Sequence, residues 1–213
     1  MKRMICFVLV GFFLNGCGET ATDLARNGYR ALDQHQFQEA ASYYEEALTL
    51  EPDDQDARLW LACAYIGLGR HERASAEIAA FKKHRFYDAI ILAGFLKHQE
   101  LADLEGVYSN SLMAAAYLRR GVDYTCDAHF DEAMTNFETA RRFDPKDGMI
   151  DFQIARLIVE TQPEVAVFYL ERGFSKRHQG NSYLEDHPQF EQLEGYEPFD
   201  QLRVRVLGKQ ARP

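Results

Sequence analysis

Seven histidines, four cysteines and 33 carboxylates are the groups in this 213-residue chain that could hold a metal or act as nucleophile, acid or base. Their spacing supports none of these chemistries. His35, His71, His84, His98, His129, His178 and His187 are scattered, and no two stand four apart, the interval that sets two imidazoles around a metal on one helix face. The glycine-rich loops that cradle phosphates are absent, as is the GxSxG turn that exposes a nucleophilic serine. Paired carboxylates such as Glu45-Glu46 and Asp53-Asp54 read as solvated faces or loops. The chain therefore reads as a non-enzyme with no metal, no cofactor and no small-molecule substrate. Among the thiols, Cys17 is placed for chemistry of another kind, because it comes just after a hydrophobic run near the start.

That run belongs to a segment of its own. Lys2 and Arg3 precede the stretch Ile5 to Leu14, which is apolar and broken only by Gly11, and small residues follow. Its ten residues are too few to cross a bilayer, which takes about 20. Residues 1–16 thus read as a secretory signal that is removed. The end of the segment, Leu14-Asn15-Gly16-Cys17, resembles the bacterial lipobox. In proteins of that kind the cysteine thiol takes a diacylglycerol, the signal is cut just before it, and the new amino terminus is often acylated. The resemblance implies that Cys17 is the lipidated first residue of the mature protein and that 17–20 form a lipidated linker; Asn15 departs from the usual Ala, Ser or Thr. The alternative is a plain secretory signal with Cys17 as a small residue near the cut, although no Ala-x-Ala-like site lies nearby. Two or three acyl chains anchor a protein stably where one does not. Gly18, rather than Asp, follows the cysteine, and the enterobacterial sorting rule that this resembles implies the outer membrane, facing the periplasm, where the source has one.

Composition narrows the partner. With 46% hydrophobic and 27% charged residues the chain is an ordinary globular one. Lys and Arg number 24 against 33 Asp and Glu, a net charge of -9. Residues 1–16 hold two basic and no acidic residues, so the remainder carries -11. An acidic excess spread along the chain excludes the basic face that nucleic acid requires.

Behind the signal the sequence repeats. Gly28, Ala40, Ala47 and Pro52 are separated by 12, 7 and 5 residues, and Gly121, Ala133, Ala140 and Pro145 by the same steps. Ala62, Ala74, Phe81 and Phe86 form a third set 34 residues after the first, with phenylalanines in place of Ala and Pro. This period and these residue types resemble the tetratricopeptide (TPR) repeat. The resemblance implies an all-α fold: a right-handed superhelical solenoid of antiparallel helix hairpins with a C-terminal helical cap. The physical logic stands beside the name. Small residues at Gly28, Ala62 and Gly121 let the second helix approach, opposite Ala40, Ala74 and Ala133. Tyr44, Tyr65, Tyr124 and Phe137 fill the space between hairpins, and the prolines stop the second helix. One hairpin cannot bury its apolar stripe alone, so neighbours stack.

This reading divides the chain into two repeats over 21–88, an irregular shortened hairpin over 89–113, a repeat over 114–147, a degenerate hairpin over 148–177 and a closing cap and tail over 178–213. Cys63 and Cys126 fall in helices of separate repeats and read as buried thiols, with a disulfide in an oxidising compartment as the alternative.

In arrays of this kind the first helix of each hairpin lines the concave surface that holds the partner. The chaperone-binding subfamily carries a Lys/Asn/Arg clamp there for a peptide carboxylate. The matching positions here hold Ala25, Tyr29, Trp60, Ala115 and Arg119, so only Arg119 keeps the clamp's chemistry. The partner-binding groove expected from the resemblance consists of Tyr29, Leu59, Cys63, Ile66, Leu118, Arg119 and Val122. It is apolar, and fits an amphipathic helix or an extended apolar segment; a groove filled by the irregular hairpin or the cap is the alternative. The implied function is a membrane-anchored adaptor or scaffold that binds protein partners in a bacterial envelope assembly. A periplasmic chaperone or accessory subunit for a neighbouring enzyme, secretin or transporter, similar to a pilotin, is the second reading.

Overall fold

The computed structural model describes residues 19–80, 86–176 and 183–208. Cys17 and Phe81 lie outside the described residues. The helices in order are α1 (Ala21–Asp33), α2 (Phe37–Leu50), α3 (Gln55–Gly67), α4 (His71–Ala79), α5 (Phe86–Leu96), α6 (Asn110–Cys126), α7 (Phe130–Phe143), α8 (Gly148–Ile158), α9 (Pro163–Lys176), α10 (Tyr183–Asp186) and α11 (Glu197–Leu207). The pairs α1/α2, α3/α4, α6/α7 and α8/α9 pack as antiparallel hairpins, and successive hairpins lean on one another to give an all-α TPR-like solenoid.

Caps and turns repeat as the residues do. Each hairpin's first helix is started by a side chain that accepts from its own first turn: Thr20, Asp54, Ser109 and Asp147. Thr20 forms a full capping box with Asp23. The second helices α2, α4 and α7 have no such cap, because each grows out of a tight reversal. In the three reversals a residue in left-handed conformation follows the first helix: His35 (φ 57°), Gly69 (φ 67°) and Ala128 (φ 59°). The next amide then reaches five residues back, Gln36 N to Ala31 O, Arg70 N to Tyr65 O and His129 N to Tyr124 O, each at 2.8 Å.

The glycines at the helix crossings are seats for rings. A Cβ on Gly28 would lie 2.9 Å from the Tyr44 ring, and one on Gly121 would lie 2.5 Å from the Phe137 ring. Both rings are fully buried, as are Ala40, Ala74 and Ala133. The fourth hairpin reverses the arrangement: the ring is Phe152 on the first helix and the seat is Gly173 on the second, 2.3 Å from where a Cβ would stand. Asp151 beside it is fully buried, and the Lys176 ammonium 2.6 Å away and the Arg172 guanidinium at 3.6 Å balance its charge.

Between the second and third hairpins one unit is truncated. α5 packs against α3 and α6 as a first helix would, but where the second helix of the shortened hairpin expected over 89–113 would stand the chain makes a single 3-10 turn, Leu101–Leu104. Gly106, with φ at 86°, ends it. Leu101, Leu104 and Tyr108 are still buried, so the apolar spacing serves a packed return strap. Polar contacts pin the strap on both sides. Ser75 Oγ donates to Val107 O at 2.8 Å and His71 Nδ1 meets the Tyr108 hydroxyl at 3.1 Å. From the other side Arg120 Nε donates to Lys97 O at 2.8 Å, a second guanidinium nitrogen donates to Gln99 O, and Lys97 pairs with Asp123.

The closing segment covers the last hairpin. Tyr183 stacks on Phe152 with ring centroids 4.3 Å apart, and Phe190, Leu193, Phe199 and Leu202 are buried beneath α11 and the 3-10 turn Pro188–Leu193. Without this cap the apolar face of α8 and α9 would meet water.

Candidate partner-binding face

The first helices carry the groove positions expected from the sequence. Tyr29 on α1 is 54% exposed, and its ring stands edge-on to that of Trp60 on α3, centroids 5.6 Å apart. Farther along, Leu118 and Val122 on α6 are half-buried and Arg119 is 53% exposed, 3.8 Å from Asp123. These are four of the seven groove positions expected from the sequence.

The other three are corrected. Leu59, Cys63 and Ile66 are buried with at most 2% exposure, and no partner can touch them while the array is folded. The reason lies in the register. Steps of 34 and 93 residues carry Tyr29 to Cys63 and Val122, and Ala25 to Leu59 and Leu118. The same position is thus open on α1, closed on α3 and half-closed on α6, because α5 sets Leu92, Ala93 and Leu96 into one buried cluster with the α3 residues. Trp60, which the sequence places at a clamp position but not in the groove, is half-buried and takes their place as the aromatic element of α3 on this face. Its signal was its register with Arg119, since a step of 59 residues joins the two.

Burial also settles the local chemistry. The Cys63 thiol and the Tyr44 phenol are both pushed far up by burial in apolar surroundings, so neither supplies a nucleophile at ordinary pH. Cys63 and Cys126 are both free thiols, and Cys126 is exposed at the end of α6 rather than buried as the sequence led us to expect. The two are in different environments because Cys126 follows the seam-facing residues of α6 by one turn. His98, in a polar cleft with Lys97, Arg120 and Asp123, is held below the ordinary imidazole value by burial and then by Lys97. Among the described residues no group of three His, Cys, Asp or Glu side chains could hold a metal ion, and no helix is long and apolar enough to cross a membrane.

A family model for the tetratricopeptide repeat matches residues 31–85, the stretch that holds the first ring seat's partner Tyr44 and the whole of α3 and α4. That segment is a tetratricopeptide repeat region, in an all-α chain whose fold is TPR-like. Among solved structures it is similar to a thermophilic TPR protein in Thermus thermophilus, at 17% identity and a TM-score of 0.38 over 75% of this chain and 93% of that one. It is also similar to MamA from Desulfovibrio magneticus RS-1, residue 41 to the end, at 18% identity and a TM-score of 0.38 over 75% of this chain and 96% of that one. No curated protein matches it.

Proposed function

We propose that this TPR protein is a non-catalytic scaffold of a bacterial envelope assembly, anchored through a lipid on Cys17, that holds a partner protein against the first-helix face. The observation that carries the reading is the pair Tyr29 and Trp60: a tyrosine more than half exposed, held edge-on by a half-buried tryptophan, on the face such arrays use as their extended binding surface. Aromatic side chains with rigid support are the residues that dominate binding energy at interfaces. The ligand that fits is a segment with apolar side chains for this pair and for Leu118 and Val122, and Arg119 supplies a cation at the rim.

The test is a crosslinked pull-down from native membranes with the wild type, Tyr29→Ala and Arg119→Ala. Both substituted side chains are exposed, so helicity should not change. Loss of the Tyr29 ring should weaken capture by about 30-fold or more, the effect of a hot-spot residue at about 2 kcal/mol. Undiminished capture by both variants would refute the face. For the anchor, Cys17→Ala should lose the acyl mass; a lipid-modified Cys17→Ala chain would refute that half of the reading.

A further inference from the structure

The distance between the proposed lipid and the first helix is short, and it fixes which end of the array meets the membrane. α1 is capped at Thr20, three residues after Cys17. Three peptide units span at most about 11 Å. Little slack remains beyond the cap. The Thr20 and Asp23 side chains bind one another's backbone amides, Arg26 pairs with Asp23 at 3.0 Å, and Asn27 donates to Glu19 at 3.2 Å, so the helix start is ordered up to residue 19.

We infer that the end of the array where the first helices begin faces the lipid surface, held there by this tether. The inference rests on lipidation of Cys17. Because the hairpins are antiparallel, the caps Thr20, Asp54, Ser109 and Asp147 all lie at that end. So do two connections between hairpins among the described residues, 51–54 and 144–147. Those connections carry Glu51, Asp53, Asp54, Asp144 and Asp147 against Lys146 alone. These two connections form no cationic patch that would adhere to an anionic leaflet, while the basic run Lys82-Lys83-His84-Arg85 between α4 and α5 lies outside the described residues. On a zwitterionic surface, which attracts neither, proximity depends on the covalent tether and hence on its length. Tyr29 is nine residues into the helix from Thr20, about 14 Å of rise. With Trp60 5.6 Å from it, the aromatic pair stays on the order of 30 Å from the anchored cysteine even with the tether stretched. The partner segment is therefore read close to the bilayer.

Trp60 is the only tryptophan in the chain, so it reports its own distance from lipid. The native lipoprotein is reconstituted into phosphatidylcholine vesicles containing dansyl-labelled phosphatidylethanolamine, and energy transfer from Trp60 to the dansyl headgroups is measured. A second chain carries a Gly/Ser insertion of about 20 residues between Gly18 and Glu19, which adds a reach of about 25 Å. The inference predicts efficient transfer for the native chain and a several-fold lower value for the insertion, with both chains floating with the vesicles. Equal transfer from two vesicle-bound chains, whether high or low, overturns the orientation while leaving the anchor intact. Absence of acyl mass on Cys17, or failure of the native chain to float, overturns the anchor reading and this inference with it.

Discussion

One substitution, glycine to alanine, should move stability in opposite directions at two helix positions. At Gly121 the new Cβ would stand 2.5 Å from Phe137 Cε1 and 3.2 Å from the Ala133 carbonyl oxygen. Phe137 is fully buried, so its ring has no free space to swing into. Alanine improves helix propensity by about 1 kcal/mol, but overpacking a filled site costs about 1–3 kcal/mol, and contact on both sides places this case near the top of that range. The net loss is about 2 kcal/mol. At Gly94 on α5 nothing lies within 4 Å of the new Cβ, the propensity acts alone, and the gain is about 1 kcal/mol. For a chain of this size 1 kcal/mol moves Tm by about 2–4 °C. Thermal unfolding followed by circular dichroism should therefore place Gly121→Ala about 4–8 °C below the wild type and Gly94→Ala about 2–4 °C above it. Shifts of the same sign in both variants would refute the ring-seat account of the hairpins.

Three other outcomes follow from the same geometry. The Tyr44 hydroxyl is buried without a hydrogen-bond partner, and Phe137 fills the same register 93 residues later. Tyr44→Phe should raise the urea midpoint, with a gain of up to about 1 kcal/mol, and a lowered midpoint would contradict the assignment. Ala128→Gly should stabilise by about 0.5 kcal/mol, since a left-handed φ of 59° costs alanine about 1 kcal/mol and glycine already holds the equivalent place at Gly69; a destabilised variant would disprove strain at that turn. His98 and His187 are held below their ordinary value, His98 by burial and then Lys97, His187 by burial and then Arg156. The unfolded chain protonates them below about pH 6.5 while the native state resists, so their contribution is present above pH 6.5 and is lost as pH falls through the lowered native values. His98→Gln or His187→Gln should flatten the acid limb of a stability profile, and an unchanged limb in both would count against it.

The hairpins were legible because ring and seat are local, with Tyr44 sixteen positions after Gly28 and Phe137 the same step after Gly121. Their repetition at a fixed offset marks them without any knowledge of the third dimension. The truncated unit was legible only as a surplus of residues. The apolar spacing at Leu101, Leu104 and Tyr108 is the same for a helix and for a strap that buries the same side chains, and Gly106 decides between them through a backbone angle. Exposure on the proposed face was legible where the fold leaves it alone, at Tyr29 and Arg119. It was misread at Leu59, Cys63 and Ile66, because their burial depends on how α5 docks against α3, and no pattern within α3 records that. Cys126 is a different case: Asp33, 93 residues earlier in the same register, is a charged residue at a solvent-facing place, and the repeat itself pointed outward.

The central claim is that the first-helix face, and not the outer helices, holds the partner. A photoreactive amino acid placed singly at Tyr29, Arg119, Glu46 or Glu138 and activated in native membranes tests it directly, since all four positions are exposed. The account predicts adducts with one and the same protein from positions 29 and 119 and none from 46 on α2 or 138 on α7. Adducts of equal yield from all four positions, or only from the outer two, would contradict it.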